Sequence, residues 1–146
     1  MCGIVGFVGN KNAAKVVING LHRLEYRGYD SAGLALFDGN VKVMKCVGRV
    51  DALEKLVGDQ SANLGIGHTR WATHGVPNEV NSHPHQTKSG LFTLVHNGVI
   101  ENYLEIKNEL NLTPVSDTDS EIVAELLEAQ FKISGNINIA IEGIIA

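Results

Sequence analysis

Apolar and polar residues recur along this chain with two different periods, and the switches between them mark out its elements. The run GIVGFVG (3–9) is short, rich in β-branched residues and flanked by glycine, which predicts a strand. Over 11–24, Ala14, Val17, Ile18, Leu21 and Leu24 fall on one face of a helix. EYRGYDS (25–31) breaks that spacing and reads as a loop. AGLALFD and VKVMKCVG then flank Asp38-Gly39-Asn40, a turn signal that predicts a hairpin. VDALEKLVG predicts a short helix stopping at Gly58. GIGHTR (65–70) predicts a strand, followed by the long polar loop WATHGVPNEVNSHPHQTKSG. LFTLVHNG (91–98) predicts another strand running into a glycine turn, and a helix follows near 102–111. Thr118-Asp119-Ser120-Glu121 has the form of a capping box opening a helix through about Lys132. Asn136 is placed to cap a last helix, INIAIEGIIA. That helix runs into the chain end with no glycine, proline or polar tail to close it, so the chain is expected to be truncated.

With 146 residues, the chain is long enough for one domain with a core of its own. Its composition, 44% hydrophobic and 19% charged with three prolines, is that of a globular protein rather than a disordered one. The net charge is −4 and the basic residues are scattered, which argues against a nucleic-acid partner. No apolar run is long enough to span a bilayer, and MCGIVGFVGNKNAAK lacks the basic start of a signal peptide, so no membrane partner and a cytoplasmic location are expected. In that compartment Cys2 and Cys46 are not expected to form a structural disulfide. Cys46, inside VKVMKCV, reads as a packed strand residue.

Cys2 asks for a different account. Removal of Met1 would leave a free α-amine and a thiol on one residue. An α-amino group has a pKa of ~7.7–8.0, so it serves as a built-in general base for its own nucleophile. Three further clusters look like site loops. His68-Thr69-Arg70-Trp71-Ala72-Thr73-His74-Gly75 follows a strand and offers an arginine fork for a carboxylate. His96-Asn97-Gly98 pairs a side-chain amide with a flexible backbone N–H, a combination suited to an oxyanion. Arg27-Gly28-Tyr29-Asp30 is a charged loop between packed elements. Asp119, in the first turn of a helix, is placed to meet a substrate ammonium. Each has a plainer reading: an ion pair for Arg70, a helix cap for Asp119, a turn dipeptide for Asn97-Gly98, loop packing for Trp71.

Together these strings resemble a known family. Cys2 through Gly6, Leu24 through Gly33, His68 through Gly75, Asn81-Ser82-His83-Pro84-His85 and His96-Asn97-Gly98 are similar to the class II glutamine amidotransferases. Within that family the strings EYRGYDSAG and HTRWATHG resemble the branch that aminates fructose 6-phosphate in hexosamine synthesis. The resemblance implies that Cys2 attacks the side-chain amide of L-glutamine, with Asn97 and Gly98 holding the oxyanion. It further implies that Arg70, helped by Thr73 and His74, takes the α-carboxylate and Asp119 the α-ammonium. Trp71 would belong to a loop that closes over the substrate, and Arg27 would support the N-terminus. The implied fold is α+β, the four-layer αββα sandwich of the N-terminal-nucleophile (Ntn) hydrolases, two antiparallel sheets between helical layers, incomplete at the C-terminus. Residues 1–146 would be the N-terminal part of the glutamine amidotransferase domain, with the sugar-isomerase domains absent. No cofactor is implied. The parent enzyme would be a homodimer, and exposed sheet edges would let the fragment self-associate.

Two rival readings remain at this level. Five histidines, His68, His74, His83, His85 and His96, suggest a metal site, although zinc spacings are missing. The other is a catalytically inactive fragment that keeps the glutamine pocket.

Overall fold

A computed structural model describes residues 2–71 and 76–145. Its frame is a four-stranded antiparallel sheet of β1 (Gly3–Val8), β2 (Ser31–Phe37), β3 (Val41–Val47) and β4 (Leu64–Arg70), in the order β1-β4-β2-β3. The predicted hairpin joins β2 to β3, and Gly39 in its turn takes φ +80°, a conformation that favours glycine. Between β1 and β2 runs α1 (Ala13–Leu24), with Asn12 as its N-cap accepting from the Ala14 amide; α2 (Val50–Val57) ends at Gly58 as predicted.

Both helices cover one face of this sheet. Alternate strand residues Leu34 and Leu36 meet Val17, Leu21, Val50 and Leu53, all buried, in one apolar cluster. The close approach of α1 depends on a missing side chain: a Cβ on Gly67 of β4 would lie 2.4 Å from Val17 Cγ1. The fold therefore uses glycine in mid-strand, where it costs strand stability, to bring helix and sheet together.

The opposite face carries the second half of the chain. A two-stranded sheet, β5 (His85–Gln86) with β6 (Thr93–Leu94), is backed by α4 (Asp119–Ser134), on which α3 (Tyr103–Glu109) and α5 (Ile137–Ile145) pack. The layers thus run helices, sheet, sheet, helices. Packing of the two sheets is direct: the backbone of His83 passes so close to β2 that a Cβ on Gly33 would lie 2.0 Å from its carbonyl oxygen. Further along the same face, Phe37, Val41, Leu64 and Leu91 border an apolar groove and stay partly exposed.

Two expectations need correction. The strand expected over 91–98 pairs only at Thr93 and Leu94, because β5 offers two residues of ladder among the described residues. The capping box also does not close. Thr118 is the N-cap of α4, but its hydroxyl bonds His85 Nε2 (2.9 Å) and Ser116 Oγ (2.8 Å). Glu121 reaches past the box and accepts from the Val115 and Ser116 amides at 2.8 and 2.6 Å. The final helix is capped as expected, Asn136 Oδ1 accepting from the Asn138 amide at 2.9 Å.

Candidate active site

The site forms where the ends of the large sheet meet the second half of the chain. In the register of β1 and β4, Gly3 lies opposite Thr69, so Cys2 emerges beside Arg70 and Trp71. A Cβ on Gly3 would lie 2.7 Å from Leu24 Cβ, so the glycine lets the end of α1 press on the strand directly behind the nucleophile. The Cys2 sulfur accepts from the Trp71 amide at 3.3 Å, and its thiol faces the Trp71 carbonyl at 3.6 Å. Both contacts come from backbone, so they fix Cys2 whatever residue occupies position 71.

Asn97 approaches from the opposite wall, and its Nδ2 donates to the Cys2 carbonyl at 3.1 Å. Next to it, Gly98 leaves room for the His96 ring, whose Nε2 would lie 2.9 Å from a Cβ there. His96 Nδ1 in turn meets Ser120 Oγ at 3.0 Å. Asn97-Gly98 is therefore not a hairpin turn but the rim of a cleft.

Arg70 and Asp119 are both buried, at 4% exposure each, and line the same cleft. Burial pulls the Arg70 guanidinium below its usual pKa, and the charges of Cys2, Asp30 and Asp119 pull it back up. Asp119 is the first residue of α4, yet its carboxylate does not cap that helix. Instead Oδ2 accepts from the Ile100 amide at 2.7 Å, and Oδ1 from Ser120 Oγ at 3.3 Å. An anion and a cation thus face one cleft of about 230 Å³ whose rim holds a thiol and an amide. That pairing suits a zwitterionic amino acid carrying a carbonyl group.

Five residues singled out in the sequence, Cys2, Arg70, Asn97, Gly98 and Asp119, line this cleft together. Trp71, 45% exposed, also lines it, its ring edge-on to Tyr29 at 5.7 Å. Arg27 is half-buried at the end of a 3-10 turn, and the adjacent Gly28 packs against the Arg70 backbone. Thr73 and His74 lie outside the described residues. Ser120 and Thr118 line the cleft as well and went unrecognised in the sequence, where they read only as parts of a cap. Asp119 flanked by two hydroxyls was the available signal.

Among the described residues, His68, His83, His85 and His96 do not assemble as ligands. His68 and His83 stack with centroids 4.2 Å apart, and His85 sits edge-on to His83 at 4.6 Å. Burial drives all three below the usual imidazole pKa, His68 to about 4 and His85 to about 3, with His83 lower still. Among the described residues, the one group whose donor atoms converge for a cation is His22, Asp51 and Glu54 on α1 and α2, at the molecular surface.

A family model described as glutamine amidotransferases class-II matches residues 1–138. The chain is 56% identical over 133 residues to a glutamine–fructose-6-phosphate aminotransferase (isomerizing) of Staphylococcus epidermidis, covering 88% of this chain and 22% of that protein. It is 49% identical over 142 residues to the protein of the same name from Pyrococcus horikoshii, covering 93% and 24%. The chain therefore spans less than a quarter of the length of these relatives. Among solved structures, it aligns over 99% of its length with 32% of a glutamine phosphoribosylpyrophosphate amidotransferase from B. subtilis complexed with ADP and GMP, at 25% identity and a TM-score of 0.81. A structure described as the allosteric regulatory enzyme of purine biosynthesis matches with the same coverage and identity and a TM-score of 0.83. The fold is Ntn-hydrolase-like.

Proposed function

The chain belongs to the class II glutamine amidotransferases, and from that premise we propose that its cleft hydrolyses glutamine to glutamate and ammonia with Cys2 as nucleophile. One observation carries the reading. Cys2, Arg70, Asn97-Gly98 and Asp119 come from separate stretches of sequence and converge on one cleft with charges matched to free glutamine.

The reaction needs Met1 removed, which frees the Cys2 amine. That amine takes the thiol proton through a water molecule, and the thiolate attacks the substrate's side-chain carbonyl carbon. The Asn97 amide turns from the Cys2 carbonyl to the developing oxyanion, joined by the Gly98 N–H. The carbon–nitrogen bond then breaks, the amine returns its proton to the leaving group, and ammonia departs from a γ-glutamyl thioester. Water attacks that thioester, and glutamate leaves with the thiol restored. Arg70 and Asp119 hold the α-carboxylate and α-ammonium throughout, with Thr73 and His74 assisting Arg70, while Arg27 steadies the N-terminus.

In the longer protein this ammonia would aminate fructose 6-phosphate, in the cytoplasm and within a homodimer. The names of the relatives support the first of these, the amination of fructose 6-phosphate. A second reading, a glutamine-binding fragment without turnover, is favoured by the apolar groove and the two-residue strands of the second sheet.

One assay separates them. Glutamate release by the purified chain should be measured for wild type and Cys2→Ala, alongside intact mass to establish that Met1 is gone. Release that depends on Cys2 is the expected result. Binding of glutamine without any such release would leave only the second reading.

A further inference from the structure

Nothing in the ladder of β6 fixes the residues that follow it. Pairing ends at Leu94, yet Asn97 and Gly98 must be held to a fraction of an ångström if they are to meet an oxyanion. The geometry points to His68 and His83 as a pair of positioning residues that grip the His96 backbone at its carbonyl and its N–H and so aim Asn97 and Gly98. This inference rests on the glutaminase reading and deepens it.

The grip is complementary. His83 Nδ1 accepts from the His96 amide at 3.3 Å, which requires that nitrogen to be bare. His68 Nε2 donates to the His96 carbonyl at 3.2 Å, which requires that nitrogen to carry a proton. The carbonyl belongs to the same peptide unit as the Asn97 N–H, so the plane from which the Asn97 side chain departs is set. His68 Nδ1 is buried without a hydrogen-bond partner among the described residues, and a bare lone pair is the cheaper group to leave there.

Each ring is anchored to the large sheet. His68 sits on β4, paired with Ile4 on one side and Gly33 on the other. His83 lies stacked on it, with its backbone seated against Gly33. Burial beside Arg70, His85 and His96 keeps both rings neutral, with the pKa of His68 at about 4, so the donor and acceptor roles persist across the working pH range. The metal reading had no use for this arrangement. The sequence strings His68-Thr69-Arg70 and Ser82-His83-Pro84 held both histidines without indicating what they touch.

Substitutions that keep or remove a single hydrogen-bonding atom test the pair. Asparagine places an acceptor near the Nδ1 position of histidine, and glutamine places a donor near Nε2. His83→Leu and His68→Leu should lower kcat for glutamine hydrolysis about tenfold to a hundredfold with KM little changed, because Arg70 and Asp119 still hold the substrate. His83→Asn and His68→Gln should recover most of kcat. Amide hydrogen exchange at His96, followed by NMR, should quicken in His83→Leu and stay slow in His83→Asn. Equal kcat losses in the leucine and amide variants, a rise in KM with kcat preserved, or unchanged exchange at His96 in His83→Leu would each overturn the inference. If wild type releases no glutamate, the glutaminase reading fails on its own, and exchange at His96 still decides whether the grip exists.

Discussion

The two faces of the large sheet are covered in opposite ways. On one face, α1 and α2 press Val17, Leu21, Val50 and Leu53 onto Leu34 and Leu36 in a cluster without charge. On the other, the chain buries Asn81, Ser82, His83, His85, Ser116, Thr118, Asp119 and Glu121, most of them joined by hydrogen bonds. The first arrangement gains stability from area removed from water and is tolerant in detail. The second recovers through hydrogen bonds what desolvation costs, and in exchange it holds polar groups at fixed positions. A cleft that must orient a substrate is built from the second kind and mounted on the first.

Substitutions should separate the two kinds. Leu21→Ala, at a fully buried position, should lower unfolding free energy by about 3–5 kcal/mol, seen as a fall in the denaturant midpoint. The loss should be the same at pH 5.5 and pH 7.5, since nothing in that cluster titrates over the interval. A loss that grew with acid would break the comparison.

Asn97→Ala should cost about 10²–10³ in kcat, or ~2.7–4 kcal/mol, while leaving the denaturant midpoint nearly in place. The Asn97 side chain spends its amide on a hydrogen bond across the cleft, to the Cys2 carbonyl, rather than on the polar network beneath it. A mutant that unfolds early instead would make that contact structural.

The smallest effect per step is acidification. His68 and His85 have folded pKa values of about 4 and about 3, below the ~6.5 of an unfolded chain. The unfolded state therefore binds protons first, and stability present above pH 6.5 is lost as pH falls towards the folded values. Each imidazole should cost on the order of 1 kcal/mol per pH unit between pH 6.5 and 4.5. Denaturant titrations at several pH values would show it, and His85→Asn should flatten the slope. Stability independent of pH over this range would mean that the histidines are not buried as described.

Legibility in the sequence divides along the same line. Apolar spacing located α1, α2, the β2–β3 hairpin and β4 nearly to the residue, because area burial depends on periodicity alone. The second half was harder. LFTLVHNG has a strand pattern, but a strand needs a partner, and β5 supplies two residues. Thr118 and Glu121 have the spacing of a capping box, but His85, Ser116 and the Val115 amide, brought in by the fold, compete for the same atoms and take them.

By itself the sequence determined the chemistry available: a thiol behind a removable methionine, an arginine and an aspartate for a zwitterion, an amide and a glycine for an oxyanion. It determined the apolar frame as well, since each helix and strand there carries its own period. Only the tertiary structure decided that Cys2 meets the Trp71 backbone, that Asn97 reaches Cys2 across 95 positions, and that two histidines bond the backbone N–H and carbonyl of His96, the residue before Asn97. Hydrogen bonds act over about 3 Å and in one direction, so no pattern along a chain encodes them until folding brings their ends together.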